Sequence, residues 1–223
     1  MVHRPPTAPS VLPIVLLTGF DAFGGERLNP SWLAVEALHG RQVAGHRVIA
    51  AQLPTVFDES LQVLGALLVK HRPMLTICVG QAGGRGAISL ERVTININDA
   101  RIADNAQSQP IDTAVVVDGP AAYFTSLPIK AMLVALQREG VAAKVSQTAG
   151  TFVCNHVFYG LMHFLATERG FRNKRGGFIH VPFLPEQGLP CMPLADITRG
   201  LQVAVRTALA TPSDIRIGAG AVQ

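Results

Sequence analysis

The sequence predicts an α/β domain: a three-layer α/β/α sandwich around a mostly parallel, twisted sheet, with a β-hairpin extension. Three observations carry this. Five short apolar runs are continuous rather than alternating, as in strands covered on both faces. Helical patterns fall between them, which is the order of a βα-type chain. One later segment alternates with period two instead, as a half-exposed antiparallel ribbon does.

Taken in chain order, the first strand is Ile14–Phe20 (IVLLTGF). "NPSWLAVEALHG" then has Pro30 and Ser31 as helix-start signals and Gly40 as a stop. A second strand, Arg47–Leu53, leads to apolar residues at helical spacing from Val56 to Val69. Leu75–Gly80 (LTICVG) is the third strand. Glu91 to Asn105 is the alternating, β-branched segment, read as an antiparallel hairpin or edge extension with "NDA" near its turn. A helix from about Pro128 to Gly140 precedes the strand Ala143–Gln147. "CNHVFYGLMHFLATERG", the strand Gly177–Phe183 and "DITRGLQVAVRTALA" complete the pattern. Residues 1–10 read as a disordered proline-rich tail and residues 11–223 as one domain.

Composition narrows the function classes. At 223 residues a single core is expected to bury about 70% of the unfolded surface. Charged residues make up only 15%, which suits a compact α/β protein or one that hides surface in an oligomer. The net charge of +4 is scattered, and "HRPP", "GHR" and "RNKRGG" lack interleaved aromatics, so they read as solvated surface and no nucleic-acid partner is expected. No apolar run reaches the ~20 residues of a membrane span, and the N-terminus lacks a cleavable leader pattern. Three cysteines without ligand spacing argue against a disulfide framework or a structural zinc and for a reducing compartment, read as cytoplasmic.

In open α/β sheets, ligands bind beyond the carboxyl ends of the strands. The loops there read "TGFDAFGG", "GQAGGRG", "TAGTFVC" and "HVPFLPEQ", and are expected to converge on one rim. Cys154 sits where a loop hands over to a helix. It is either a buried filler or a nucleophile, whose thiolate open N–H groups and the helix dipole would favour. His156 and His163 would face away from it around the helix, so a base has to come from another segment. His180, inside a buried strand, is that base or a hydrogen-bonded core residue. Asp21, Glu91, Asp99 and Asp104 are the acids near the rim loops that could orient it; Glu91, directly after the glycine-rich loop, is otherwise a surface partner of Arg92. "GQAGGRG" fits neither a Walker loop nor GxGxxG.

Together, "LLTGFDAFGGERLNPSW", "VGQAGGRGAISLERV", "VSQTAGTFVCNHVFYGLMHF" and "GGFIHVPFLPEQ" closely resemble the pyroglutamyl peptidase type I (pyrrolidone carboxyl peptidase) family, over about Val15 to Gln187. The resemblance implies a cytosolic cysteine exopeptidase, without metal or cofactor, that removes an N-terminal pyroglutamyl residue, and in many members a homotetramer. It puts the nucleophile on Cys154, the base on His180 and the acid on Glu91. It puts the pyrrolidone pocket on Phe20, Phe23, Phe152 and Val153, and further positions near substrate on Asn29, Gln81, Arg101 and Ile102. Thr94, where the family pattern suggests alanine or glycine, is a departure beside the acid. Two other readings remain beside this one. A nucleoside-phosphorylase-like enzyme would need a phosphate site and not Cys154; a non-catalytic lactam binder would hold pyroglutamate without turnover.

Overall fold

The computed structural model describes residues 12–220, and the proposed tail lies outside them. The chain forms β1 (Ile14–Phe20), α1 (Pro30–Glu36), β2 (Gln42–Val43), β3 (His46–Leu53), α2 (Glu59–His71) and β4 (Leu75–Gln81). It continues with β5 (Ile88–Glu91), β6 (Val93–Ile95), β7 (Ala122–Phe124), α3 (Ile129–Arg138), β8 (Ala143–Ser146) and α4 (Val153–Thr167). β9 (Arg175–Val181) and α5 (Leu194–Ala210) close it. The main sheet has the order β2-β3-β1-β4-β9-β5-β8.

Strand alternation divides the core into two layers. Val15, Leu17, Ile77, Val79, Ile179 and Val181 point to one face, covered by α1, α3 and α5. Leu16, Phe20, Cys78 and Phe178 point to the other, covered by α2 and α4. These are the three layers the continuous apolar runs require, because each strand buries both sets of side chains. The predicted strands and helices all form, with ends shifted by a few residues.

Three expectations change. First, the segment from Glu91 is not a hairpin turning at "NDA". Ile88–Glu91 belongs to the main sheet, and Val93–Ile95 pairs antiparallel with Ala122–Phe124 in a separate two-stranded ribbon. The alternation was a true strand signal, but its partner lies beyond a long loop pinned by Asp104. That carboxylate accepts from the backbone N–H groups of Phe57, Ala106 and Ser108.

Second, the four rim loops do not all leave in one direction. β1, β3, β4 and β9 run parallel, whereas β5 runs against β9, and β8 follows β5. The loop after β8 must therefore turn back to bring Cys154 to the rim. β9 is also not the sheet neighbour of β8, since β5 lies between them.

Third, the basic run "RNKRGG" is not all solvated. The Arg175 guanidinium donates to the carbonyls of Thr211 (2.8 Å) and Ala208 (2.6 Å), closing the open C-terminal end of α5.

Candidate active site

The site begins with a missing side chain. β4 and β9 pair so that Gly80 stands opposite His180 and Cys78 opposite Phe178, all on the face turned to α4. A Cβ at Gly80 would lie 2.8 Å from Cys154 Sγ and 2.8 Å from Cζ of Phe178. Neither backbone nor ring can give way cheaply in a close-packed interior, so only glycine leaves the notch in which the thiol sits. Strand pairing thus sets Cys154 beside the strand that carries His180.

His180 is held from its other side. Its Nδ1 lies 2.8 Å from Oε1 of Glu91, and both side chains are buried. The antiparallel register explains the contact: Ser89 faces His180, and Glu91, two residues on, is the diagonal neighbour on the same face. A carboxylate only accepts, so the ring carries a proton on Nδ1, and whenever the ring is neutral the lone pair is on Nε2. Among the described residues Nε2 has no hydrogen-bond partner. Glu91 Oε1 also accepts from Arg85 Nη1 at 2.7 Å, and Arg85 Nη2 donates to the Thr148 carbonyl at 3.3 Å. Glu91 Oε2 is buried without a partner. The alternative reading of Glu91, an exposed pair with Arg92, is overturned by its complete burial.

Cys154 is the second residue of α4, whose N-cap, Phe152, contributes no side-chain cap. The first-turn N–H groups are therefore open to a ligand. They do not make the resting thiol acidic. Burial first, and then the charge of Glu91, push Cys154 up to about 12, with Arg85 pulling the other way. Loss of water outweighs the dipole here, so the thiol is neutral until a base takes its proton.

His156, two residues on, does face away. Its Nε2 accepts from the Asp58 backbone N–H (3.1 Å) and its Nδ1 meets Asn98 Oδ1 (2.9 Å). Burial, partly offset by Asp58, lowers it to about 4, so it is a neutral structural ring. His163 pairs with the Tyr123 hydroxyl.

A cleft of about 570 Å³ opens beside the start of α4, lined by Phe23, Asp99, Arg101, Ile102, Thr151 and Phe152. Phe152 bridges Phe23 (6.1 Å between centroids) and Phe57 (5.4 Å, edge-on), giving the cleft an aromatic wall. Asp99 N–H donates to the Thr151 carbonyl and the Thr151 hydroxyl to the Asp99 carbonyl, which ties the opposite wall to the loop before Cys154.

Four of the eight expected substrate-contacting residues, Phe23, Arg101, Ile102 and Phe152, line this cleft. The other four do not. Phe20 and Val153 are packed in the core under α4. Asn29 caps α1, accepting from Ser31 and donating to the Asp21 carbonyl. Gln81, at the end of β4, accepts from Gln187 Nε2 at 3.1 Å.

Sequence reasoning passed over three residues. Gly80 was read only as part of a strand, and Arg85 only as part of a glycine-rich loop, although it is the sole cation in "GQAGGRG". The third is Asn155, next to the thiol. Its amide donates to the carbonyls of Ile95 and Ile97 and accepts from Ile95 N–H and the Thr94 hydroxyl (2.7 Å). Thr94 is therefore an added fastening between β6 and α4 rather than a disturbance of the acid.

Comparison with known proteins fits this geometry. The pyroglutamyl peptidase family model matches residues 14–211. The pyrrolidone-carboxylate peptidase of Cupriavidus taiwanensis is 58% identical, over 92% of this chain and 97% of its own length. That of Bacillus cytotoxicus is 52% identical, over 90% and 95%. The crystal structure of Bacillus amyloliquefaciens pyroglutamyl peptidase I is 51% identical and superposes with a TM-score of 0.88, covering 91% of this chain and all of that one. A mutant pyrrolidone carboxyl peptidase from Pyrococcus furiosus, 38% identical over 88% of this chain and 98% of its own, gives 0.85. A chain matched over nearly its whole length by sequence and by fold, with a buried acid, a histidine and a thiol gathered around β5, β9 and β4, belongs to the pyroglutamyl peptidase family.

Proposed function

We propose that this protein hydrolyses the bond after an N-terminal pyroglutamyl (5-oxoprolyl) residue of peptides, with Cys154 as nucleophile, His180 as acid–base and Glu91 as the group that orients His180. The observation that carries the reading is His180, anchored by Glu91 at Nδ1 and free at Nε2, on the strand residue opposite the Gly80 notch that holds the thiol.

In the proposed reaction His180 Nε2 takes the thiol proton as Cys154 Sγ attacks the pyroglutamyl carbonyl. The oxyanion is met by open N–H groups at the start of α4, with Arg101 nearby in the cleft; one such donor is worth about 3–4 kcal/mol. The imidazolium then protonates the leaving amine, a thioester remains, and water activated by the same ring releases pyroglutamate. A lactam is small, neutral and apolar along its methylenes, which suits the Phe23–Phe152 wall. Asn29, Gln81, Phe20 and Val153 would serve by holding that wall and the rim loops in place.

Residues 11–223 are read as one domain, acting in the cytoplasm as a homotetramer. Among the described residues no helix is long and apolar enough to cross a membrane. Exposed Val117 and Phe124 offer apolar surface for assembly. Light scattering at micromolar concentration tests the assembly, and a monomer there removes it.

The function is tested by release of a fluorescent amine from a pyroglutamyl amide under reducing conditions. Turnover by the wild type, none by Cys154→Ser and none on the matching prolyl amide is the expected result. A folded, reduced wild type without turnover would overturn it.

A further inference from the structure

Arg85 joins two parts of the site that, among the described residues, no other side chain hydrogen-bonds together. Its Nη1 lies 2.7 Å from Glu91 Oε1, the same oxygen that meets His180, and its Nη2 lies 3.3 Å from the carbonyl of Thr148, in the loop that turns back to deliver Cys154. Glu91 is completely buried, and among the described residues its Oε2 has no partner and Arg85 is the one full cation set against the carboxylate. A carboxylate removed from water in this way needs such a partner, because an uncompensated buried charge is strongly unfavourable. Arg85 is itself partly exposed, so its charge reaches the carboxylate from the solvent side rather than from the core.

We propose that Arg85 is a positioning residue of the reaction: its fork binds the acid with one amino group and the nucleophile-bearing loop with the other, fixing the His180–Glu91 pair and Cys154 relative to each other. The assignment rests on Cys154, His180 and Glu91 acting as one unit. It accounts for an arginine in a loop otherwise built of small residues, since a lysine ammonium presents no planar fork with which to serve two oxygens in fixed directions. Around the thiol the charged or titratable groups are Glu91, Arg85, Cys78 and His180, the last on the strand residue opposite the Gly80 notch. Arg85 favours the thiolate, whereas Glu91 and Cys78 oppose it.

The test compares Arg85→Lys and Arg85→Gln with the wild type in two assays. One is steady-state cleavage of a pyroglutamyl amide against pH. The other is the rate of Cys154 alkylation by iodoacetamide against pH, read at that residue by mass spectrometry and needing no substrate. Arg85→Gln should lower kcat about 100-fold with KM changed less than about threefold, and should move both the activity profile and the alkylation curve about one unit to higher pH, because a cation beside the thiol has gone. Arg85→Lys keeps the charge but loses the second anchor: its profile should stay within a few tenths of a unit while kcat falls about tenfold.

Unchanged kcat in Arg85→Lys, or an unmoved alkylation curve in Arg85→Gln, would overturn the proposal. If Arg85→Gln fails to fold, Arg85→Lys still decides it, through kcat. A failure of the pyroglutamyl substrate assignment would show differently, as wild type without turnover whose Cys154 alkylation still responds to Arg85.

Discussion

His156 and His180 are both buried, and their surroundings differ in one respect that matters. The ring of His156, on α4, spends both nitrogens on the protein, one on Asn98 and one on the Asp58 N–H. The ring of His180, on β9, spends one on Glu91 and keeps the other open beside the Gly80 notch. A histidine with both nitrogens satisfied is a strut; one with a single anchored nitrogen has the other available to accept or donate a proton. Burial alone does not separate the two roles, and the count of satisfied nitrogens does.

The sharpest way to break that contrast is to remove each ring in turn. His180→Gln should lower kcat/KM by about 10³-fold or more while leaving the unfolding midpoint close to wild type. His156→Leu should do the reverse, losing about 1–3 kcal/mol of stability as Asp58 N–H and Asn98 go unpartnered, with kcat per folded molecule near wild type. Matched activity losses in the two variants would dissolve the distinction.

Acid gives the next largest effect. Native His156 takes up its proton only near pH 4, whereas the unfolded chain does so near 6.5. Below pH 6.5 the unfolded state therefore binds more protons, and stability falls as pH drops from 6.5 through 4, by about 3 kcal/mol from this residue. Denaturant unfolding across that window should show the loss in wild type and a shallower one in His156→Leu. Equal slopes would remove His156 as the cause.

A smaller loss is expected at the notch. Gly80→Ala pushes a methyl group against Sγ and Phe178, and should cost about 100-fold in kcat by displacing the thiol, since an ångström of misplacement is worth that much. Alkylation of Cys154 should slow in parallel; wild-type kcat in this variant would show that the thiol has room to shift harmlessly. The smallest effect belongs to Thr94→Val, which removes a hydrogen bond to Asn155 and should cost about 1 kcal/mol in thermal unfolding with the activity profile unmoved.

The fold was legible where burial writes itself into the chain. Ile14–Phe20 reads as a strand and is one, because an apolar run of that length has no other way to satisfy two helical layers. β5 was invisible for a physical reason: four residues carry too little pattern, and strand direction is decided by crossovers rather than composition. The supposed hairpin failed because pairing across a long loop leaves no local trace. In the site, the nature of Cys154, Glu91 and His180 stood open from residue chemistry alone, and the motif resemblance pointed to all three. The anchors around them were unreadable, since a glycine that makes room and an arginine that joins two segments look like ordinary loop and strand until the register is known.

The Gly80 notch also limits the shape of whatever bonds to the sulfur. With β4 and Phe178 close against one side of Sγ, an adduct has to extend on the other side, and the Phe23–Phe152 cleft lies beside the start of α4. A covalent inhibitor for this enzyme is therefore selected by its outline before its electrophile is tested. Compact, flat warheads can lie along that cleft, and branched ones are turned away by a side chain that is not there.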